Sequence, residues 1–438
     1  MLERLARFIL GLSVVACGAP GSAEPGRSSA AAEVVFGDEL NEAEIAGDAR
    51  PKPVATGGEA LCPIARRETE LPRNAGSPLW LQGFDAMEVT SVASDSEGSV
   101  VLARSGTEVT KLSCAGEVLW SKPFGTHVAI DDQDAVYVAG TFTDALAVDE
   151  RTLRTDGTAA FLVKLDRAGH VAYAHALGPA AAGAIDSLAV DGAGHVALSG
   201  PGFGTMKLDE SGGVLWQKAF SGKVQLDATG DVVLAGELVG TLDLGTARLI
   251  SQGGADVLLL RLGPDGTPVF ARSYGDPGAL QRAQAITVDD EGNVVIAGTF
   301  DGRVDFGIGA LELTPAQCSS DAWCVTDGFA TKFDAQGQAL WSVAFGPMRA
   351  VSGLASDADG NVVLSGALPG GVRPFRQTWL AKLDPKGAEI WHRSEWPDTG
   401  IGAGHGVAVD ANAQVFWSLS ARPSLDLEER SYLAKLSP

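Results

Sequence analysis

Five cysteines and six histidines are the most reactive side chains of this 438-residue sequence, and their spacing decides what chemistry they could do. Cys318 and Cys324 enclose a short stretch of one loop, so a local disulfide between them is expected. In an exported chain Cys62 is then left to pair with Cys114, while Cys17 is set aside for a different modification. His127, His170, His175, His195, His392 and His405 show neither two histidines one helical turn apart nor a Cys/His ligand cluster, so no metal site is expected. Of these, His170 and His195 fall in turns and are expected to be solvated. Asp357-Ala358-Asp359-Gly360-Asn361 has the look of a calcium loop but lacks the distal bidentate glutamate, and sister segments hold hairpin turns in its place. No nucleophile elbow, phosphate loop or adjacent cysteine pair occurs, so neither a cofactor nor a catalytic residue is expected. What remains are two irregular stretches in which tryptophan stands near carboxylates: Asp321 with Trp323, and Trp396 with Asp398, followed by His405. Aromatic faces beside hydrogen-bond acceptors suit a glycan or a peptide, and these five residues are the candidate ligand contacts.

Those stretches interrupt a repeat. An apolar run, an Asp, a small turn and a Val opening a second apolar run recur at Asp95/Val100, Asp131/Val136, Asp191/Val196, Asp227/Val232, Asp289/Val294, Asp357/Val362 and Asp410/Val415. The Asp caps backbone N–H groups, and a Gly three residues on (Gly98, Gly194, Gly230, Gly292, Gly360) accepts positive φ, so each copy is a two-stranded hairpin. The last copy has Ala413 in place of that Gly. A second pattern runs from a base through a turn Gly to an aromatic: Lys111/Trp120, Lys164/Tyr173, Lys207/Trp216, Arg261/Phe270, Lys332/Trp341 and Lys382/Trp391. Its seventh base, Lys435, has no aromatic after it, while Trp80 stands in an orphan strand ahead of the first hairpin.

Alternating hairpins make a four-stranded unit of about fifty residues, seven times over. The predicted fold is all-β: a seven-bladed β-propeller of four-stranded antiparallel blades over residues 78–438, its ring closed by Leu79–Phe84 pairing with Tyr432–Leu436. An extended solenoid leaves the split seventh unit unexplained. Residues repeated in every blade are read as structural, and function is assigned to the irregular face, where the connections between hairpins and between blades emerge.

Composition narrows the partners. A formal charge of −22 repels phosphate backbones, so nucleic acid is excluded as a natural partner. Residues 1–16 combine Arg4 and Arg7 with an apolar run too short to span a bilayer, the build of a signal peptide. Val14-Val15-Ala16-Cys17 resembles the bacterial lipobox, which implies cleavage before Cys17 and a diacylglycerol on its thiol. That lipid would be the only membrane contact. Residues 17–77, rich in Ala, Gly, Pro and Glu, are expected to be a flexible tether. The expected address is the outer membrane or cell surface.

Asp327-Gly328-Phe329-Ala330-Thr331-Lys332-Phe333-Asp334 through Trp341, and Gly298-Thr299-Phe300 to Val304-Asp305-Phe306-Gly307, resemble the bacterial seven-bladed β-propeller repeat family. Gly240-Thr241-Leu242-Asp243-Leu244-Gly245 echoes the second motif. The resemblance implies a secreted or surface propeller and no particular reaction. The expected function is a lipid-anchored binding or scaffold module for a protein or glycan; a glycan-processing propeller enzyme or a structural envelope component are the alternatives.

Overall fold

The computed structural model describes residues 76–85, 88–105, 108–181, 184–313, 326–346, 350–369, 376–393, 401–422 and 430–438. Seven four-stranded antiparallel sheets form a ring of blades, so the closed propeller replaces the solenoid. Blade 1 runs from the axis outward as Val89–Ser94, Val100–Arg104, Glu108–Leu112 and Val118–Lys122. The innermost strands of the other blades are His127–Ile130, Ser187–Val190, Lys223–Leu226, Gln281–Val288, Ala350–Ser356 and Ile401–Val409. Each touches the next around the ring, and the seventh touches the first. The two middle strands of a blade are packed on both faces, which is why runs such as Val196–Gly200 and Asp256–Leu262 are buried at every position.

Both hairpin turns of a blade lie on one face because its strands are antiparallel. Asp95 Oδ1 accepts hydrogen bonds from the N–H groups of Glu97 (3.1 Å) and Ser99 (2.8 Å), and the other six turn aspartates do the same. Its second oxygen meets a buried cation from the third strand of the same blade: Lys111 Nζ to Asp95 Oδ2 is 2.9 Å, Lys332 to Asp289 is 2.8 Å, and Lys382 to Asp357 is 3.1 Å. The cation also ties blades together, since Lys207 donates to the Gly230 carbonyl of the next blade and Lys435 to that of Gly98, at 3.1 Å. Blade 4 uses Arg261, which reaches Asp227, Asp231 (2.8 Å) and the Gly292 carbonyl (3.3 Å). Ala413, standing where a turn Gly is expected, is held at φ 60°.

Blade 7 is completed by Pro78–Asp85, with Trp80 opposite Lys435, Leu81 opposite Ala434 and Phe84 opposite Ser431, the closure the repeat count requires. The join goes further than a shared ladder. In the second hairpin of blade 2, Asp166 N donates to His170 O (2.8 Å), Gly169 N to Asp166 O (2.9 Å), and His170 N to Asp166 Oδ1 (2.8 Å). In blade 7 the same three bonds run between the first and the last described residues: Ser437 N to Ser77 O (2.9 Å), Gly76 N to Ser437 O (3.3 Å), and Ser77 N to Ser437 Oγ (3.1 Å). Gly76, at φ 72°, lies against the Trp391 ring as Gly387 lies against that of Trp341. One tight turn is thus assembled from both ends, and Pro438 takes the place that Pro264 and Pro385 hold in blades 4 and 6.

Among the described residues three blades carry an extra hairpin between their second and third strands, and it packs back onto the blades. In blade 5, Arg303–Asp305 and Ala310–Glu312 fold back onto the blade. Phe306, 2% exposed, enters the wedge between blades 4 and 5, its ring 5.1 Å from Tyr274 and 5.0 Å from Phe329. Blade 4 does this with Thr241–Asp243 and Arg248–Ile250, packing the half-buried Leu242 and Leu244 against the core. Blade 2 does it within the long strands Val136–Val148 and Arg151–Leu165, where Lys122 of blade 1 bonds Asp149 at 2.8 Å. The Val-Asp-Phe-Gly motif is therefore a packing device: its apolar residues fill the wedge, and Asp305 Oδ1 caps the turn by accepting from Gly307 N at 2.8 Å.

Candidate functional site

Cys17, Cys62, Cys318, Cys324, Asp321, Trp323, Trp396 and Asp398 lie outside the described residues. Two predicted site residues are described. Cys114 sits in the second-hairpin turn of blade 1, where its carbonyl accepts the Trp80 indole N–H at 2.8 Å, and its sulfur is bonded rather than free. His405, expected on an irregular loop, is instead part of the innermost strand Ile401–Val409. Its Nδ1 stands 2.9 Å from Glu88 Oε1 and its Nε2 2.9 Å from Ser420 Oγ, so it bridges blades 7 and 1 where the ring closes. His170 is solvated as expected, but His195 departs from that expectation: Nδ1 lies 2.9 Å from Asp191 Oδ2 and only a third of the side chain is exposed.

His405 points to the place where the sevenfold pattern fails. The innermost strands begin on the irregular face, and two columns of residues there ring the axis. Five places before the turn Asp stand Thr90, Thr126, Asp186, Gly222, Gln284, Ser352 and His405. One place further in are Ser91, His127, Ser187, Lys223, Ala285, Gly353 and Gly406. The serines are used between blades: Ser91 Oγ accepts from Val128 N at 3.2 Å, and Ser187 Oγ from Val224 N at 2.9 Å. Three of the four ionisable residues in these columns, His127, Asp186 and Lys223, gather on blades 2 to 4, and His405 stands apart on blade 7. Lys223 Nζ donates to the Asp186 carbonyl at 2.9 Å and lies 3.9 Å from its carboxylate. His127 Nδ1 is 3.1 Å from Thr126 Oγ1, and the ring also hydrogen-bonds the Asp186 backbone.

Burial, reinforced by the Lys223 charge, lowers the His127 pKa to about 4 against a weaker raising effect from that backbone bond. The imidazole is neutral at physiological pH and serves as a positioned hydrogen-bonding group. Burial raises the Asp186 pKa, with Lys223 opposing. Asp186 Oδ1 and Gln284 Oε1 are buried without a hydrogen-bond partner among the described residues. On blade 5, Arg282 pairs with Glu237 at 3.2 Å with both side chains nearly half exposed. The arrangement offers two under-used acceptors, exposed Thr90 and Ser352, and cations at Lys223 and Arg282, which is a polar recognition surface. Among the described residues no His/Cys/Asp/Glu group is arranged to hold a metal.

Sequence reasoning missed His127, Asp186, Lys223 and Gln284 because it looked for motifs. The signal that finds them is negative: once the units are aligned on their turn Asp, these are columns in which no residue type occupies more than two of the seven positions.

No family model matches the chain, and none of the curated proteins does. Solved structures do. The crystal structure of the RRP9 WD40 repeats aligns over 83% of this chain and 99% of its own, at 10% identity and a TM-score of 0.52. The U3-55K structure aligns over 82% and 99%, at 9% identity and 0.52. A chain of the mitotic checkpoint complex aligns over 88% and 99%, at 10% identity and 0.50. At such identities the likeness defines the class alone: a seven-bladed β-propeller of WD40-like architecture.

Proposed function

We propose that this protein is an exported, lipid-anchored binding module that engages a polar ligand, a glycan or a peptide, at the axial mouth on its irregular face. The observation that carries the reading is the break in repetition: His127, Asp186, Lys223, Gln284 and His405 differ in type and gather at one end of the axis, whereas the extra hairpins are packed away. Partnerless acceptors at Asp186 and Gln284 call for a ligand rich in hydroxyl or amide donors.

The lipobox-like Val14-Val15-Ala16-Cys17 and the resemblance to the bacterial seven-bladed repeat family support export and anchoring. Gly76 and Ser77 enter the propeller in a turn on the regular face, opposite the mouth, so a tether from Cys17 would leave the mouth clear. The engaged sulfur of Cys114 on that regular face fits a bridge to Cys62.

Profiling the full-length protein against envelope glycans and peptides tests the reading. A bound class should lose at least tenfold in affinity on Asp186→Ala and on Lys223→Ala, about the worth of one charge-assisted hydrogen bond. Binding that both variants retain would move the site elsewhere.

A further inference from the structure

The wedge between blades 3 and 4 is built from the same positions as the wedge between blades 4 and 5, with different residues. Aligning Val232 with Val294 and Arg261 with Lys332 sets Leu238, Leu244, Leu258 and Leu262 against Phe300, Phe306, Phe329 and Phe333. Four phenyl groups in one wedge are four isobutyl groups in the other. In the aromatic wedge the rings close on one another: Phe306 lies 6.0 Å from Phe333, and Tyr274, supplied by the neighbouring blade, lies 5.7 Å from Phe333. The counterpart of Tyr274 is Phe220.

The leucine wedge is not closed. A cavity of about 380 Å³, open on one side, is lined by Phe220, Leu242, Leu244, Leu262 and Pro268, with Lys218 and Asp243 among its polar lining. That volume falls in the range of small-molecule sites. The two polar residues are not equivalent. Asp243 Oδ1 caps its own hairpin by accepting from Gly245 N at 2.8 Å, as Asp305 does for Gly307, so the carboxylate has a structural partner. Lys218 makes no hydrogen bond or ion pair among the described residues, its charge acting only at longer range on the exposed Asp265 carboxylate, and its counterpart in the aromatic wedge, Arg272, is occupied over the Phe270 ring and at the Gln336 carbonyl.

We propose that this cavity is a binding site for a small aromatic carboxylate. Its ring would take the space that phenyl groups fill in the sister wedge, and its carboxylate would pair with the Lys218 ammonium at the opening. The site is distinct from the axial mouth and stands or falls independently of the ligand proposed there. An open pocket of that size at the rim of otherwise close-packed blades leaves apolar surface in water that a bound ring would cover.

The probes are phenylacetate and its uncharged analogue benzyl alcohol, titrated by ligand-observed NMR against the full-length protein. Saturable phenylacetate binding is expected, weaker by about tenfold in Lys218→Met, with benzyl alcohol unaffected by that change. Leu244→Phe, which copies Phe306 into the leucine wedge, should abolish binding of both probes while raising Tm. Leu262→Phe, copying Phe333, provides the same test if the first variant does not fold. Absence of saturable phenylacetate binding, or binding undiminished in a folded filled variant, overturns the proposal; equal loss of both probes in Lys218→Met refutes the carboxylate part of it.

Discussion

Five of the seven blades place both the repeated cation and the turn carboxylate out of water, and the two must be considered together. Lys111 is 1% exposed and Asp95 3%, so removing one partner leaves the other charged, buried and unpaired. Lys111→Met should therefore cost about 3–5 kcal/mol in denaturant unfolding, far more than loss of an exposed pair such as Arg303 with Glu312. A second residue-scale effect lies at the mouth. His127 has a folded pKa of about 4 against an unfolded value of 6.5, so between those values only the unfolded chain takes up the proton. The stabilisation is complete above pH 6.5, falls as pH drops toward 4, and levels off below. The difference between wild type and His127→Asn should change by about 3 kcal/mol across that window, measured as urea midpoints at several pH values; a pH-independent difference would contradict the burial of the ring. Taking that difference sets aside Asp186, whose raised pKa acts in the opposite direction. The turn aspartates and the blade cations were both legible in the sequence as repeated positions, but their pairing was not. Asp95 and Lys111 are sixteen residues apart and Asp289 and Lys332 forty-three, because an inserted hairpin lengthens the path between two strands that remain neighbours.

At the scale of elements, the strands followed from their apolar runs, and the hairpins from Asp and Gly, since both signals act over a few residues. The extra hairpins show where local reasoning stops. Their sequence marks a turn, yet the direction in which they fold is set by Phe306 or Leu244 finding a wedge made by a neighbouring blade. That wedge does not exist in the isolated unit. Phe306→Ala should cost about 3–5 kcal/mol, the range for emptying a buried phenyl site, and should expose Arg303–Glu312 to amide exchange before the blade itself opens. Ile250→Ala, at a residue 59% exposed on the equivalent hairpin of blade 4, should change stability by less than about 0.5 kcal/mol. Trp323 and Trp396, chosen for standing outside the repeat, lie outside the described residues, whereas the described mouth is built from residues inside it.

For the whole molecule the governing fact is that covalent order and spatial order part company once, in blade 7. Residues 437, 438, 75, 76 and 77 have the count of an ordinary second-hairpin turn, so a peptide bond from 438 to 75 would make the seventh like the other six. A permutant joined there and opened between Arg167 and Ala168 of blade 2 should fold to the same ring, with Tm within a few degrees of the parent by calorimetry. It should also give Trp391, whose Nε1 has no acceptor among the described residues, the carbonyl that Trp341 finds at Pro385 (2.9 Å). Deleting residues through Phe84 should do the reverse, leaving Arg430–Leu436 as an unpaired edge and producing concentration-dependent aggregation in light scattering.

The same join imposes an order in time. Pro78–Asp85 is the first described strand to leave the ribosome and Arg430–Leu436 the last, so the opening strand must wait, unpartnered, while six blades are made. Until translation finishes, the growing array ends in an incomplete blade on one side and a bare apolar flank on the other. A partner that shields such surfaces would be needed most for this strand and for the longest interval. Pauses in synthesis late in the chain should be more harmful than early ones, because they prolong the one stage in which everything is folded except the closure.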